Sequence, residues 1–211
     1  MRNGLSSSMK HLGPFEIDDD VATAFRETDR RHFLPPEARR WAAVDSPLPI
    51  GQGQTNSQPS TVATMLRMLA AEPGQQVLDV GAGSGWTTAL LAHLVGPTGQ
   101  VLGVERHESL RQEAAENLAT FNRPWAAIVV AKSDVLGWPR QGGWNRILVS
   151  AAATRLPLVL VEQLALGGRM VIPVANSLLI VEKSTDGALN VTEHYGYRFV
   201  PLIEPAAITP L

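Results

Sequence analysis

The sequence predicts a doubly wound α/β fold: a mostly parallel seven-stranded sheet with an antiparallel edge and helices on both faces. Two observations carry this. Short apolar runs of strand length alternate with segments of helical period along most of the chain, the pattern of parallel strands joined by helical crossovers. One stretch, Val77-Leu-Asp-Val-Gly-Ala-Gly-Ser-Gly-Trp86, then reads as buried strand, glycine turn and helix start in succession. Glycines there allow tight turning and let a ligand touch the backbone, because no Cβ intervenes. A glycine turn that opens a helix is a cofactor-binding layout.

The elements follow in order. Asp18-Asp-Asp20 can cap a helix that carries Val21, Ala24 and Phe25 on one face, and Arg30-Arg-His-Phe-Leu-Pro-Pro36 ends it. Residues 45–59 have neither helical nor strand period and read as one long loop. Loops of this length in compact domains are usually functional or disordered. Pro59 opens a helix with Val62, Met65, Leu66 and Leu69 at helical spacing. Strands are expected at 77–80, 101–105, 127–131, 145–150, 169–174, 178–182 and 191–200. Helices are expected from Trp86, around Leu110 to Phe121, and over 156–166, the last ended by Gly167-Gly168. The final two strands are joined by a short turn at Asp186-Gly187, so they form the antiparallel edge. Residues 1–13 read as a loose polar arm.

The chain has 211 residues, enough for one sizeable core, and 45% hydrophobic residues. It is read as a single domain over 1–211, with 1–59 as an N-terminal helical and loop extension on the substrate side. The net charge of −2 gives no reason to expect nucleic acid or an anionic membrane as partner. There are no cysteines, which rules out disulfides and thiolate metal sites and permits a reducing compartment. No stretch approaches the roughly 20 apolar residues of a membrane span. The reading is a cytoplasmic protein. The five histidines show no ligand spacing and are expected at the surface, with no metal site.

The glycine spacing is G-x-G-x-G, not the G-x-G-x-x-G of dinucleotide folds, and Asp79 precedes it by two residues. An acidic side chain there repels a pyrophosphate and suits a ligand with an ammonium group. Glu105, twenty residues past Gly85, stands where a carboxylate can hold both ribose hydroxyls. Loop, Asp79 and Glu105 together resemble the Rossmann-like S-adenosylmethionine (AdoMet) methyltransferases. Ser150-Ala-Ala-Ala153 follows a strand expected beside the glycine-loop strand; its small residues either leave open volume for a substrate or serve a tight loop–helix contact. Asp134 either reaches an adenine amino group or is a plain turn residue. Thr55 and Ser57, just before a helix, either cap it or face the site.

Longer matches narrow the resemblance. Arg31-His-Phe-Leu-Pro-Pro36, Asp45 to Pro59, Leu78 to Gly85, Ile147 to Ala152, Gly167 to Val174 and Arg198-Phe-Val-Pro-Leu202 resemble the protein-L-isoaspartate O-methyltransferase family, in the family's order and across nearly the whole chain. The resemblance implies Ser57 as the active-site residue, with Thr55 beside it against cofactor and substrate. It implies AdoMet as cofactor, leaving as S-adenosyl-L-homocysteine, and isoaspartyl proteins or peptides as partners of a monomer. The expected cofactor site is Asp79, Gly81, Ala82, Gly83, Gly85, Glu105, Arg106, Asp134 and Val135 with Thr55, Asn56 and Ser57. The expected substrate side is Asp45, Pro49, Ile50, Ser150, Ala151, Ala152 and Val200. Asn56 departs from the family's usual hydrophobic residue, Ser133 and Val135 from its glycines, and Ala43 from a frequent aromatic.

A carboxylate acceptor is already ionised at neutral pH, with a reference pKa of about 4, so no general base is required. That fits the absence of a recognisable His–Asp or metal cluster. Two other readings stand beside this one: a carboxyl methyltransferase retargeted to another peptide or small acid, and a non-catalytic AdoMet-binding protein.

Overall fold

The computed structural model describes residues 18–205. The expected arm at 1–13, and with it His11, lies outside the described residues. Strand β3 (Gln76–Val80) is buried from Val77 to Val80, as its apolar run predicts. It pairs in parallel with β4 (Gln100–Glu105) on one flank and β6 (Trp144–Val149) on the other. β5 (Ala126–Val130) extends the first flank and β7 (Leu164–Val174) the second, also in parallel. β8 (Ser177–Lys183) and β9 (Leu189–Tyr195) then add antiparallel at the edge. The order of the seven strands is β5-β4-β3-β6-β7-β8-β9. The chain moves outward from β3 to β5 and starts again at β6 on the other flank of β3. The loops after β3 and β6 therefore part, leaving a crevice at the carboxyl ends of the strands.

Strand alternation divides the core in two. Val77 and Leu148 face a layer that holds α1 (Asp20–Arg26), α2 (Pro59–Leu69), α3 (Trp86–Val95) and α4 (Glu108–Ala119). Leu78, Val80, Ile147 and Val149 face the opposite side, covered by α5 (Leu158–Glu162), Trp144 and Leu136. The helices thus lie on both faces but unevenly. α3 is buried nearly all round, because it lies between the sheet and neighbours on α1 and α4. α1 begins as its acidic run predicts: Asp19 accepts from the Ala22 N–H at 2.8 Å. The same carboxylate takes Arg67 Nε at 2.7 Å and so ties α1 to α2. No helix among the described residues is long and apolar enough to cross a membrane.

Four expectations are corrected. Residues 45–59 are not a featureless loop: β1 (Leu48–Gly51) and β2 (Gln54–Asn56) form a hairpin, with Pro49 opposite Thr55. Gly51, Gln52 and Gly53 all have positive φ, which turns the chain within a segment too short to show alternation. α1 stops at Arg26, and Arg30–Phe33 forms a separate 3₁₀ turn in which Asp29 accepts from the Arg31 N–H. The helix expected at 156–166 covers only Leu158–Glu162, and β7 already begins at Leu164. Gly167-Gly168 is a bulge inside that strand; a Cβ on Gly168 would lie 2.7 Å from the Ala165 carbonyl. Finally, β9 ends at Tyr195 rather than Val200. Gly196 has φ +102°, and its N–H and that of Tyr197 both donate to the Asn176 carbonyl, which turns the last segment back over the crevice.

Candidate active site

The crevice holds a cavity of about 410 Å³. Its floor is the turn between β3 and α3. Gly81 and Ala82 donate to the Val104 carbonyl at 2.9 and 3.1 Å, which bolts the turn to the neighbouring strand. Gly81, Gly83 and Gly85 all have positive φ. Gly85 is held for a packing reason: a Cβ there would stand 2.9 Å from Ile128 Cδ1 and 3.1 Å from the Ala114 carbonyl. At Gly81 nothing lies closer than 3.9 Å, and the backbone lines the cavity.

Glu105 closes β4 and lies across the turn, 4% exposed. Its carboxylate accepts from the Gly83 N–H at 2.9 Å through one oxygen and from the His107 N–H at 2.9 Å through the other. Each carboxylate oxygen has a further lone pair, and Glu105 lines the cavity. It can therefore take two neighbouring hydroxyls while holding the loop in shape. This fits the ribose of an AdoMet-type ligand.

Asp79 is placed differently from expectation. Strand alternation points it beneath the loop, fully buried, and it does not line the cavity. Thr87 and Thr88 hydroxyls both donate to its Oδ2 at 2.7 Å, while Oδ1 has no partner among the described residues. Burial is the main reason its pKa is pushed up to about 6, against the lowering pull of the two threonines. Its hydrogen bonds run to α3, beneath the glycine turn.

The second wall is the β1–β2 hairpin and the residues after it. Thr55, Asn56 and Ser57 line the cavity opposite the glycine turn. The Thr55 and Ser57 hydroxyls have no hydrogen-bond partner among the described residues, so they are not capping α2. Gln58 holds the cap position without a side-chain capping bond, and Asp45 instead accepts from the Ser60 N–H at 2.8 Å and from Gln58 Nε2 at 3.0 Å. Burial opposes ionisation of Asp45, but these bonds and the Arg30 charge hold its carboxyl below the usual range.

What fixes this wall is Arg30. The residue is 5% exposed, and no carboxylate among the described residues forms an ion pair with it. Its Nε donates to Asn56 Oδ1 at 2.7 Å; Nη1 donates to the Ala42 and Val44 carbonyls at 3.2 and 3.1 Å. Nη2 donates to the Ser46, Asn56 and Ser57 carbonyls at 2.9, 3.1 and 2.9 Å. The guanidinium also lies 5.3 Å from the Trp86 ring centroid, at the start of α3. Burial lowers its pKa to about 10, which leaves it charged at neutral pH. Asn56 Nδ2 in turn donates to Ser84 Oγ at 3.1 Å, linking the hairpin to the glycine turn.

The far end of the cavity comes from the loops after β5 and β6 and from the last segment. Ser150 and Ala151 line it; Ala152 and Ala153 do not. Ala152 pairs with the last segment, its N–H donating to the Val200 carbonyl at 2.7 Å and its carbonyl accepting from the Leu202 N–H at 2.8 Å. Ala153 donates to the Pro173 carbonyl at 3.0 Å. The first half of the small-residue run lines the cavity, and the second half makes bridges to the last segment and to β7 in place of the expected loop–helix contact. Arg106, Val135 and Val200 are on the wall. Asp134 is exposed and off it, because Gln163 draws the following loop inward: its Nε2 donates to the Leu136 carbonyl at 2.7 Å and its Oε1 accepts from the Trp138 N–H at 2.8 Å. Pro49 is exposed on the hairpin, and Ile50 is buried with Leu34, Ala38 and Leu110, its Cδ1 3.2 Å from where a Gly83 Cβ would be. Of the histidines, His93 is half-buried against Arg123, with its pKa lowered by burial and that charge, and His107 has a buried Nε2. Residues on the wall that the sequence did not single out include Ser84, Trp86, Lys132 and Leu136. Ser84 and Trp86 carried a signal, their place in the glycine turn and at the start of the helix it opens.

The comparisons agree with this geometry. The family model described as protein-L-isoaspartate(D-aspartate) O-methyltransferase (PCMT) matches residues 3–207. The protein-L-isoaspartate O-methyltransferase of Aeropyrum pernix is 46% identical over 187 residues, which cover 87% of this chain and 72% of that protein. The one from Methanopyrus kandleri is 43% identical over 206 residues, covering 96% and 91%. Among solved structures, a PCMT from Plasmodium falciparum in complex with S-adenosyl-L-homocysteine aligns with a TM-score of 0.75 at 25% identity, covering 89% of this chain and 92% of that one. The chain belongs to the protein-L-isoaspartate O-methyltransferase family.

Proposed function

We propose that this protein moves a methyl group from AdoMet to the free carboxylate of L-isoaspartyl residues in damaged proteins and peptides, with Thr55 and Ser57 as its acceptor-side residues. The observation that carries this is the pairing of two walls: Glu105 and the glycine turn on one, and on the other the Thr55 and Ser57 hydroxyls, which have no partner among the described residues. AdoMet supplies an electrophilic methyl on a sulfonium. The residues that would hold it are Glu105 at the ribose, Gly81 to Gly83 along the backbone, and Val135 with Leu136 at the base. The cavity volume is within the range of about 300–1,000 Å³ usual for small-molecule sites.

The chain's own contribution is position. The acceptor carboxylate is ionised before it binds, so no residue has to remove a proton. Ser57 donates to one carboxylate oxygen and leaves the other to face the methyl; Thr55 steadies the same group. Holding two reactants in line supplies about 7–11 kcal/mol in favourable cases. Opposite charges cancel as the bond forms, so the hairpin wall and the 200–205 segment help further by excluding water. The methyl ester then closes to a succinimide when the next backbone nitrogen attacks the ester carbonyl and methanol leaves. Water reopens that ring in part to normal aspartate.

The same reading takes the chain as one catalytic domain with 18–59 of the described residues as its substrate-side extension, acting as a monomer in the cytoplasm without a nucleic-acid partner. The lack of cysteine and the net charge of −2 support it. The test uses methyl-labelled AdoMet with two matched peptides, one isoaspartyl and one normal aspartyl. Base-labile label on the isoaspartyl peptide alone is expected. Label on neither, with AdoMet bound, overturns the reading.

A further inference from the structure

The hydrogen bonds from Arg30 into the site have a forced direction. A guanidinium only donates. Its Nε–H reaches the Asn56 side chain at 2.7 Å, so the atom it meets is the amide oxygen. The amide nitrogen then points the other way, where it donates to Ser84 Oγ at 3.1 Å. Ser84 Oγ is thus an acceptor in this bond, and its own proton is left to go elsewhere. Ser84 is 5% exposed and lines the cavity, its carbonyl held by Asn117 Nδ2 at 3.2 Å. Among the described residues its hydroxyl has no acceptor, so the partner has to come from what fills the cavity.

A buried hydroxyl with one of its two lone pairs engaged by Asn56 still has its proton to place, and a bond from O–H to a carboxylate is roughly twice as strong as one to a neutral oxygen. We propose that Ser84 is a binding residue that donates to a ligand carboxylate, and that Asn56 and Arg30 are positioning residues that aim it. Ser84 was not among the residues expected to bind anything, and an apolar side chain at 56 could not set its direction. The inference rests on the methyl-transfer reading in one respect: that reading brings two carboxylates to the cavity, the amino-acid carboxylate of the cofactor and that of the acceptor.

The test is calorimetric binding of S-adenosylhomocysteine and of 5′-methylthioadenosine, which lacks the amino-acid part, to wild type, Ser84→Ala and Asn56→Asp. In Asn56→Asp the introduced carboxylate accepts from Arg30 and from Ser84 alike. The serine proton then turns away from the cavity, while the buried cation gains a counter-charge. The expected result is S-adenosylhomocysteine binding weakened about tenfold in both variants, the size of one hydrogen bond. 5′-Methylthioadenosine binding stays within twofold, and the melting temperature of Asn56→Asp is not lowered. If the acceptor is the partner, both nucleoside ligands bind as before and the KM for an isoaspartyl peptide rises about tenfold in both variants. Either result supports the proposal.

Equal loss for both nucleoside ligands, or no change in any of the three constants, overturns it. Loss in Ser84→Ala with wild-type behaviour in Asn56→Asp overturns the role given to Asn56. Should Asn56→Asp fail to fold, Ser84→Ala against the three ligands still decides the role of Ser84. Methylation of the isoaspartyl peptide by wild type, measured alongside, separates failure of this proposal from failure of the functional reading.

Discussion

The two walls of the cavity are built in opposite ways. The glycine turn is held by its own strand neighbours: Gly81 and Ala82 to Val104, Gly83 to Glu105. The β1–β2 hairpin has a short ladder of its own and depends on one cation that arrives from outside it, Arg30, donating to the carbonyls of Ala42, Val44, Ser46, Asn56 and Ser57. A loop fixed largely by backbone pairing, with side-chain bonds to Gly83 from Glu105 and to Ser84 from Asn117, is less sensitive to any single side chain. A loop fixed by one buried side chain stands or falls with it.

The sharpest way to break that contrast is Arg30→Ala. Several buried acceptors lose their donor at about 1–3 kcal/mol each, so a loss of about 3 kcal/mol or more in denaturant unfolding is expected. Methyl transfer is expected to fall at least a hundredfold. Backbone hydrogen exchange is expected to speed up at 42–57 and to stay near wild type at 81–85. Equal protection in both regions would show that the hairpin does not depend on Arg30.

Glu105→Gln tests the other wall. The amide keeps one acceptor and loses the other, with the bond strength of a charged group. S-adenosylhomocysteine binding is expected to weaken about 10–100-fold, since bonds to charged groups contribute about 1.5–3 kcal/mol, while stability changes less than in Arg30→Ala. Unchanged binding would remove Glu105 from the ribose. Ser57→Ala is expected to lower kcat about tenfold with S-adenosylhomocysteine affinity unchanged; full turnover would end its role as an orienting group.

The smallest expected effect concerns Asp79 beneath the turn. Its folded-state pKa of about 6 lies above the ordinary 3.8, so the folded protein holds the proton more tightly than the unfolded chain. The stabilisation this gives is full below about pH 4 and is lost as pH rises through 6. Asp79→Asn removes this contribution. The melting temperature of the variant relative to wild type is expected to rise between pH 5 and 7.5, and a constant difference would contradict the assignment.

The same contrast explains what could be read from the chain. β3, the glycine turn and Glu105 were legible because strand, turn and helix follow one another within a local pattern, and their partners lie on adjacent strands. That Thr55 and Ser57 face the cavity was one of two readings their residue types allowed, and the family resemblance was what favoured it. The hairpin around them read as a loop because its order comes from Arg30, 26 positions before Asn56, and no local spacing reports such a bond. Asp79 was legible as a residue but not in position, since strand alternation places it beneath the turn and off the cavity wall. The end of β9 was missed because Gly196 turns an otherwise strand-like run back to Ala152.

The claim on which the rest depends is that catalysis here is positioning of a carboxylate already ionised. The pH dependence of kcat, followed as S-adenosylhomocysteine formed with an isoaspartyl peptide between pH 6.5 and 8, tests it most directly. The acceptor's reference pKa of about 4 predicts a flat profile across that window. A limb rising tenfold per pH unit would reveal a residue that must lose a proton first, and would contradict it.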